Sequence, residues 1–106
     1  MVVAHNKPLK NHIHKRELKL ALLDIYGSCV YCCQALTPEE ATVDHVLPKG
    51  NYPDERHNAY NLILACTWCN TIRSDMPFEE FCEYVATPKY WQVRRKLIRK
   101  QLRESE

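Results

Sequence analysis

Apolar and polar positions along the chain change their spacing several times, and each change predicts an element. From about Lys15, residues Leu18, Ala21, Leu22 and Ile25 recur at i, i+3, i+4 and i+7, the period of an amphipathic helix, and Gly27 supplies its stop. Residues 1–14 show no such period; with Pro8 and two asparagines among their first eleven positions they predict a flexible basic arm. The run ATVDHVL at 41–47 is β-branched and apolar and predicts a short strand. LILAC at 62–66 predicts the second strand of a hairpin. Between them, residues 48–61 are polar, carry Pro48, Gly50 and Pro53, and predict a long loop of the kind that usually serves function.

Three helices are expected after the hairpin. TWCNTIRS at 67–74 reads as a short one. Pro77 then opens FEEFCEYVA, where Phe78, Phe81, Cys82 and Val85 hold helical spacing and Glu79 and Glu80 occupy the first turn. Thr87-Pro88 breaks that helix. The last segment, KYWQVRRKLIRKQLR, places Tyr90, Val93 and Leu97, with Trp91, Ile98 and Leu102 alongside, on one stripe and leaves Lys and Arg elsewhere. A helix of this pattern, at about 88–103, packs one face and offers the other to phosphate.

A chain of 106 residues with 45% hydrophobic content fits one small core and leaves little room for a second. It contains no apolar run of about 18 residues, and its N-terminal stretch lacks the apolar region of a signal peptide. The expectation is an intracellular, cytoplasmic protein, nucleoid-associated or phage-encoded and not secreted, with no membrane partner.

The formal net charge of +2 is unevenly spread. Residues 1–20 carry five Lys/Arg against one Glu, a net +4. Residues 88–106 carry seven against two, a net +5, and residues 21–87 carry three against ten acidic side chains, a net −7. Basic ends around an acidic middle suit arms that touch a polyphosphate and a centre that binds cations.

Six cysteines in a chain read as non-secreted point to metal ligation before disulfides. Cys29-x-x-Cys32 and Cys66-x-x-Cys69 each place two thiolates on one turn, as a tetrahedral four-cysteine zinc requires. Cys33 follows Cys32 directly and competes for a ligand position, although the spacing favours Cys29 and Cys32. Cys82 reads as core filler in its helix. The 33 residues between Cys32 and Cys66 exceed the roughly 15–20 of a simple four-cysteine module, so something is built between the knuckles.

That insert contains Asp44, His45 and Asn61, and Asn70 follows the last cysteine. His45, with an ordinary pKa near 6.5, suits a general base at neutral pH. Asp44 and Asn70 offer one carboxylate and one amide oxygen, a sparse set that leaves a divalent ion room for water and phosphate. Adjacent strand residues point to opposite faces, so Asp44 and His45 can serve one site only if the backbone bends or bulges there. Arg73, one helical turn after Asn70, is the first candidate for a contact to substrate phosphate, with Arg56 and His57 in the loop as further ones. His5, His12 and His14 decorate the arm and read as surface histidines.

In this order, Cys29-x-x-Cys32, Asp44-His45, Pro48, Asn61-Leu62 and Cys66-x-x-Cys69-Asn70 resemble the HNH endonuclease family over about residues 27–75. Asn70 stands where that family commonly has His, which resembles its HNN subgroup and favours a hard ion such as Mg²⁺ over softer metals. The resemblance implies a small α+β fold: a ββα-metal (HNH/His-Me finger) core with a structural zinc and flanking N- and C-terminal helices, one nuclease domain over 15–106. It implies hydrolysis or nicking of DNA, double-stranded, by a monomer or homodimer, with His45 as base and Asp44 and Asn70 on a catalytic Mg²⁺, Mn²⁺ or other divalent transition metal. Asn61 is then not a ligand; it holds loop backbone and so fixes His45. Two readings of other classes stand beside this one. One is a non-catalytic zinc-ribbon module that binds nucleic acid through its basic ends; the other is an interaction adaptor using the aromatic stripe of residues 78–91.

Overall fold

The computed structural model describes residues 12–47 and 61–105, with side chains from Arg16 onward. The elements run α1 (His12–Tyr26), β1 (Ala41–His45), β2 (Leu62–Cys66), α2 (Thr67–Arg73), α3 (Phe78–Val85) and α4 (Pro88–Glu104). Together they make a small α+β fold on a two-stranded antiparallel sheet. Arg56, His57 and the rest of the 48–60 segment lie outside the described residues, as do the first eleven positions with His5 and the side chains of His12 and His14.

All five residues of β2 are buried, with Leu64 and Ala65 fully so. This explains why LILAC shows no polar alternation: it is covered on both faces. Its partner pairs in a regular register, Ala41 with Cys66, Asp44 with Ile63 and His45 with Leu62. Of the bend or bulge called for at Asp44-His45, the paired residues show no bulge. The chain instead bends after His45, at Val46 and Leu47.

α1 starts at His12, three residues before the periodicity suggests, and ends at Gly27, whose φ of 70° is the left-handed cap conformation. Its N–H closes the last turn onto the Leu23 carbonyl at 2.8 Å. Leu22 is buried, Leu18 and Leu23 pack against the core, and Ile25, expected on the inner stripe, is 72% exposed. The packed face is narrower than the sequence period implies, because only the Leu18–Leu23 part of the helix is covered.

α3 and α4 close the core with a ring cluster. Phe81 is fully buried and meets Tyr31 edge-on at 4.8 Å and Tyr90 at 5.8 Å. Thr87 caps α4, its hydroxyl accepting from the Tyr90 N–H, and Pro88 fills the first position, where no N–H is needed. Trp91 Nε1 donates to the Val85 carbonyl at 2.9 Å and ties the two helices together. Among the described residues no helix is long and apolar enough to cross a membrane.

Candidate metal and catalytic centre

The two knuckles meet. Cys29, Cys32, Cys66 and Cys69 bring their sulfurs within 4.8 Å of one another, and Cys32 Sγ lies 3.9 Å from Cys66 Sγ. With metal–sulfur bonds of about 2.3 Å, a tetrahedron has edges of about 3.8 Å, so the four sulfurs fit a tetrahedral ion. Backbone N–H groups support both turns: Cys32 N–H donates to Cys29 Sγ at 3.4 Å and Cys69 N–H to Cys66 Sγ at 3.3 Å. The second bond is also the N-cap of α2, so this helix starts from a metal ligand. Cys33 is exposed and outside the cluster; its φ of 67° makes it the left-handed residue that turns the first knuckle back.

The thiols are electrostatically interdependent. Hydrogen bonds from Cys29 and then from Cys66 and Cys69 hold Cys32 far below the ordinary thiol range, while bonds with Cys29, Cys32 and Cys66 push Cys69 far above it. Four sulfurs this close cannot all ionise unless a cation compensates them. Four cysteines positioned for a metal ion are thus part of the fold.

A tyrosine and an arginine from α4 back the cluster. Tyr90 lies with its hydroxyl 2.8 Å from Cys69 Sγ, and burial, followed by the neighbouring Cys69, pushes the phenol far up; toward a thiolate, which carries no proton, the hydroxyl can only donate. Arg94 donates to the Tyr90 hydroxyl at 3.1 Å, reaches Cys69 Sγ at 3.7 Å and donates to Gln34 Oε1 at 2.6 Å. The sequence pattern counted Arg94 with the phosphate-facing cations of the last helix; it is 6% exposed and serves the thiolates instead. The rest of that basic face, Lys89, Arg95, Lys96, Arg99, Lys100 and Arg103, is exposed.

One residue beyond Cys69, Asn70 points at β1. Its Nδ2 donates to Thr42 Oγ1 at 3.0 Å, and the same hydroxyl donates to the Ala65 carbonyl at 2.8 Å. With its proton committed to Ala65, Thr42 can only accept from Asn70, which fixes the amide and turns its oxygen away from Thr42. Two residues along the same strand face comes Asp44. Its Oδ1 accepts from the His45 N–H at 2.8 Å, and its Oδ2 accepts from the Tyr31 hydroxyl at 2.7 Å and from Arg73 Nη1 at 2.9 Å. Asp44 thus lies on the same strand face as Thr42, which meets Asn70 of α2, and His45 is the last residue of the strand.

Asn61 is buried and binds the bend after His45. Its Oδ1 accepts from Leu47 N–H at 2.7 Å, its Nδ2 donates to the Leu47 carbonyl at 3.1 Å, and its own carbonyl accepts from Val46 N–H at 2.8 Å.

Arg73 does not stand where a phosphate contact was expected. It is 2% exposed, and its guanidinium is spent on Asp44, Tyr31 and three backbone carbonyls, those of His45, Val46 and Met76. Tyr31, Thr42, Tyr90 and Arg94 were missed as site residues in the sequence. Thr42 alone left a signal there, its i−2 position from Asp44, which puts it on the same strand face.

Residues 29–75 match the model of a family described as HNH endonuclease. Over 59 residues, 53% of its length, the chain is 42% identical to the Septu protein PtuB of Bacillus thuringiensis, and it covers 23% of that protein. Over 72 residues, 67% of its length, it is 26% identical to the CRISPR-associated endonuclease Cas9 of Actinomyces naeslundii, of which it covers 6%. The chain therefore spans less than a quarter of the length of either relative.

Proposed function

With residues 29–75 constituting an HNH endonuclease domain, we propose that this chain is a metal-dependent nuclease that hydrolyses phosphodiester bonds of double-stranded DNA. The observation that supports the reading is that Asp44 and His45 end a strand whose Thr42 is held by Asn70, on a helix capped by one of the four clustered cysteines. A purely structural zinc module has no use for that trio.

In this reading Cys29, Cys32, Cys66 and Cys69 hold a structural Zn²⁺, the ion that an all-thiolate tetrahedron suits, which also fits a reducing, cytoplasmic setting. Asp44 and the Asn70 amide oxygen hold a catalytic divalent ion, Mg²⁺ or Mn²⁺. When bound, that ion supplies Lewis-acid polarisation of the phosphate and charge compensation at the leaving oxygen. His45 accepts the proton of the attacking water as its oxygen bonds to phosphorus and the bond from phosphorus to the sugar oxygen breaks. Asn61 keeps the Val46–Leu47 bend in place and with it the backbone that carries His45. The exposed cations of α4 contact backbone phosphates without reading bases, and Arg56 and His57 are candidates for contacts near the cut.

The test is cleavage of supercoiled plasmid by the zinc-loaded chain with Mg²⁺, with Mn²⁺ and with chelator. Conversion to nicked or linear product only with a divalent ion is the expected result. Salt-sensitive DNA binding without cleavage under any ion would instead establish a non-catalytic nucleic-acid module.

A further inference from the structure

Arg73 is the most heavily committed side chain at the centre. Nε donates to the Met76 carbonyl at 2.9 Å and Nη2 to the Val46 carbonyl at 2.7 Å. Nη1 is shared among the Tyr31 hydroxyl at 2.6 Å, Asp44 Oδ2 at 2.9 Å and the His45 carbonyl. The plane also lies against the rings of Tyr31 and Phe78, at 5.7 and 5.9 Å. A cation buried this deeply requires its counter-charge, and Asp44, with its side chain 12% exposed, is the ion-pair partner.

We propose that Arg73 is a positioning residue for the cleavage reaction, and that Tyr31 is its second support. This rests on the nuclease reading above. Two groups are gripped at once. The carboxylate of Asp44 is held at one oxygen by Arg73 and Tyr31 and at the other by the His45 N–H, which fixes its orientation. The carbonyls of His45 and Val46 are held where the chain leaves β1, so the last residue of the strand cannot swing as the backbone bends. The rigid fork of a guanidinium is what makes this grip; a lysine at the same place keeps the charge but cannot span acceptors from Met76 to His45. A phosphate contact would demand the reverse, an exposed guanidinium with donors to spare.

The experiment compares wild type, Arg73→Lys, Tyr31→Phe and His45→Ala as zinc-loaded full-length chains. It measures plasmid cleavage (kcat, KM and the Mg²⁺ concentration for half-maximal rate), salt dependence of binding to a DNA duplex, zinc content and melting. The expected result for Arg73→Lys and Tyr31→Phe is kcat lower by about 10–100-fold and a raised Mg²⁺ requirement, with KM for DNA and the salt slope unchanged. A raised KM, a salt slope lower by about one and an unchanged Mg²⁺ requirement in Arg73→Lys would make it a phosphate contact and overturn the proposal. If Arg73→Lys loses its zinc or its melting transition, Tyr31→Phe decides, since Phe keeps the ring packing on Phe78 and Phe81; wild-type kcat and Mg²⁺ requirement there overturn the proposal. His45→Ala separates the two levels. Wild type that cleaves under no ion defeats the nuclease reading, cleavage that survives in His45→Ala defeats the reading of this centre as catalytic, and a dead His45→Ala beside wild-type behaviour in both support variants defeats only the role of Arg73 and Tyr31.

Discussion

The hydroxyl of Tyr90 lies 2.8 Å from the sulfur of Cys69, and Arg94 donates to that same hydroxyl. The arrangement repeats one turn along α2, where Arg73 donates to the Tyr31 hydroxyl and Tyr31 donates to Asp44. An Arg–Tyr pair thus backs a candidate ligand at each of the two centres. Each buried phenol is pushed far up, first by burial, and stays protonated, so each tyrosine can pass a directed hydrogen bond on to the group it backs.

Tyr90→Phe removes the donor to Cys69 while keeping the ring against Phe81, Tyr84 and Trp91. Loss of a bond to a charged acceptor is expected to destabilise the metal-loaded protein by about 1.5–3 kcal/mol and to weaken zinc retention by about 10–100-fold. Competition with a chromogenic chelator and thermal melting read the two effects.

Cys66→Ser removes a thiolate metal ligand while leaving a hydroxyl that can still cap α2. In a core this small, metal binding and folding are coupled, so the expected outcome is no bound zinc by elemental analysis and no cooperative melting transition. A normal transition in zinc-free protein would show that the cysteine cluster does not support the fold.

Thr42→Val keeps shape and removes the hydroxyl that accepts from Asn70 and donates to Ala65. The Asn70 amide is then free to flip. Cleavage is expected to fall about tenfold or more with a raised Mg²⁺ requirement, at unchanged zinc content, measured as rate against Mg²⁺ concentration.

Asn61→Ala removes two hydrogen bonds to the Leu47 backbone. Because Leu47 is 37% exposed, water can replace part of the loss, and the stability cost is expected at about 1 kcal/mol. The activity loss should be much larger than that cost suggests, because the bend that follows His45 loosens; melting and cleavage measured on the same sample give the comparison.

Much of this architecture was legible in the sequence. The spacing of the cysteines identified the four that cluster, and the apolar run of LILAC, the β-branched run before it and the Pro77 and Thr87-Pro88 breaks placed both strands and the later helices. What the sequence could not show was where cations go. Arg73 and Arg94 sit at helical positions that read as solvent- or phosphate-facing, yet both are buried, because each has an anionic or thiolate partner from a distant segment that helical periodicity does not register. Ile25 failed in the opposite direction: it has the right period for the inner face of α1 but sits in the last turn, where none of the described residues covers it. The Asp44-His45 adjacency called for a bend or a bulge; the ladder stays regular to His45, and a bend follows one residue later, where Arg73 and Asn61 hold the backbone.

The central claim is tested most directly by His45→Ala on supercoiled plasmid with Mg²⁺, beside wild type, after zinc content and DNA binding of the two have been matched. The expected result is loss of cleavage by at least about a hundredfold, with zinc, melting and affinity for DNA retained. Cleavage at the wild-type rate would contradict the assignment of His45 as the base and, with it, the reading of this centre as catalytic.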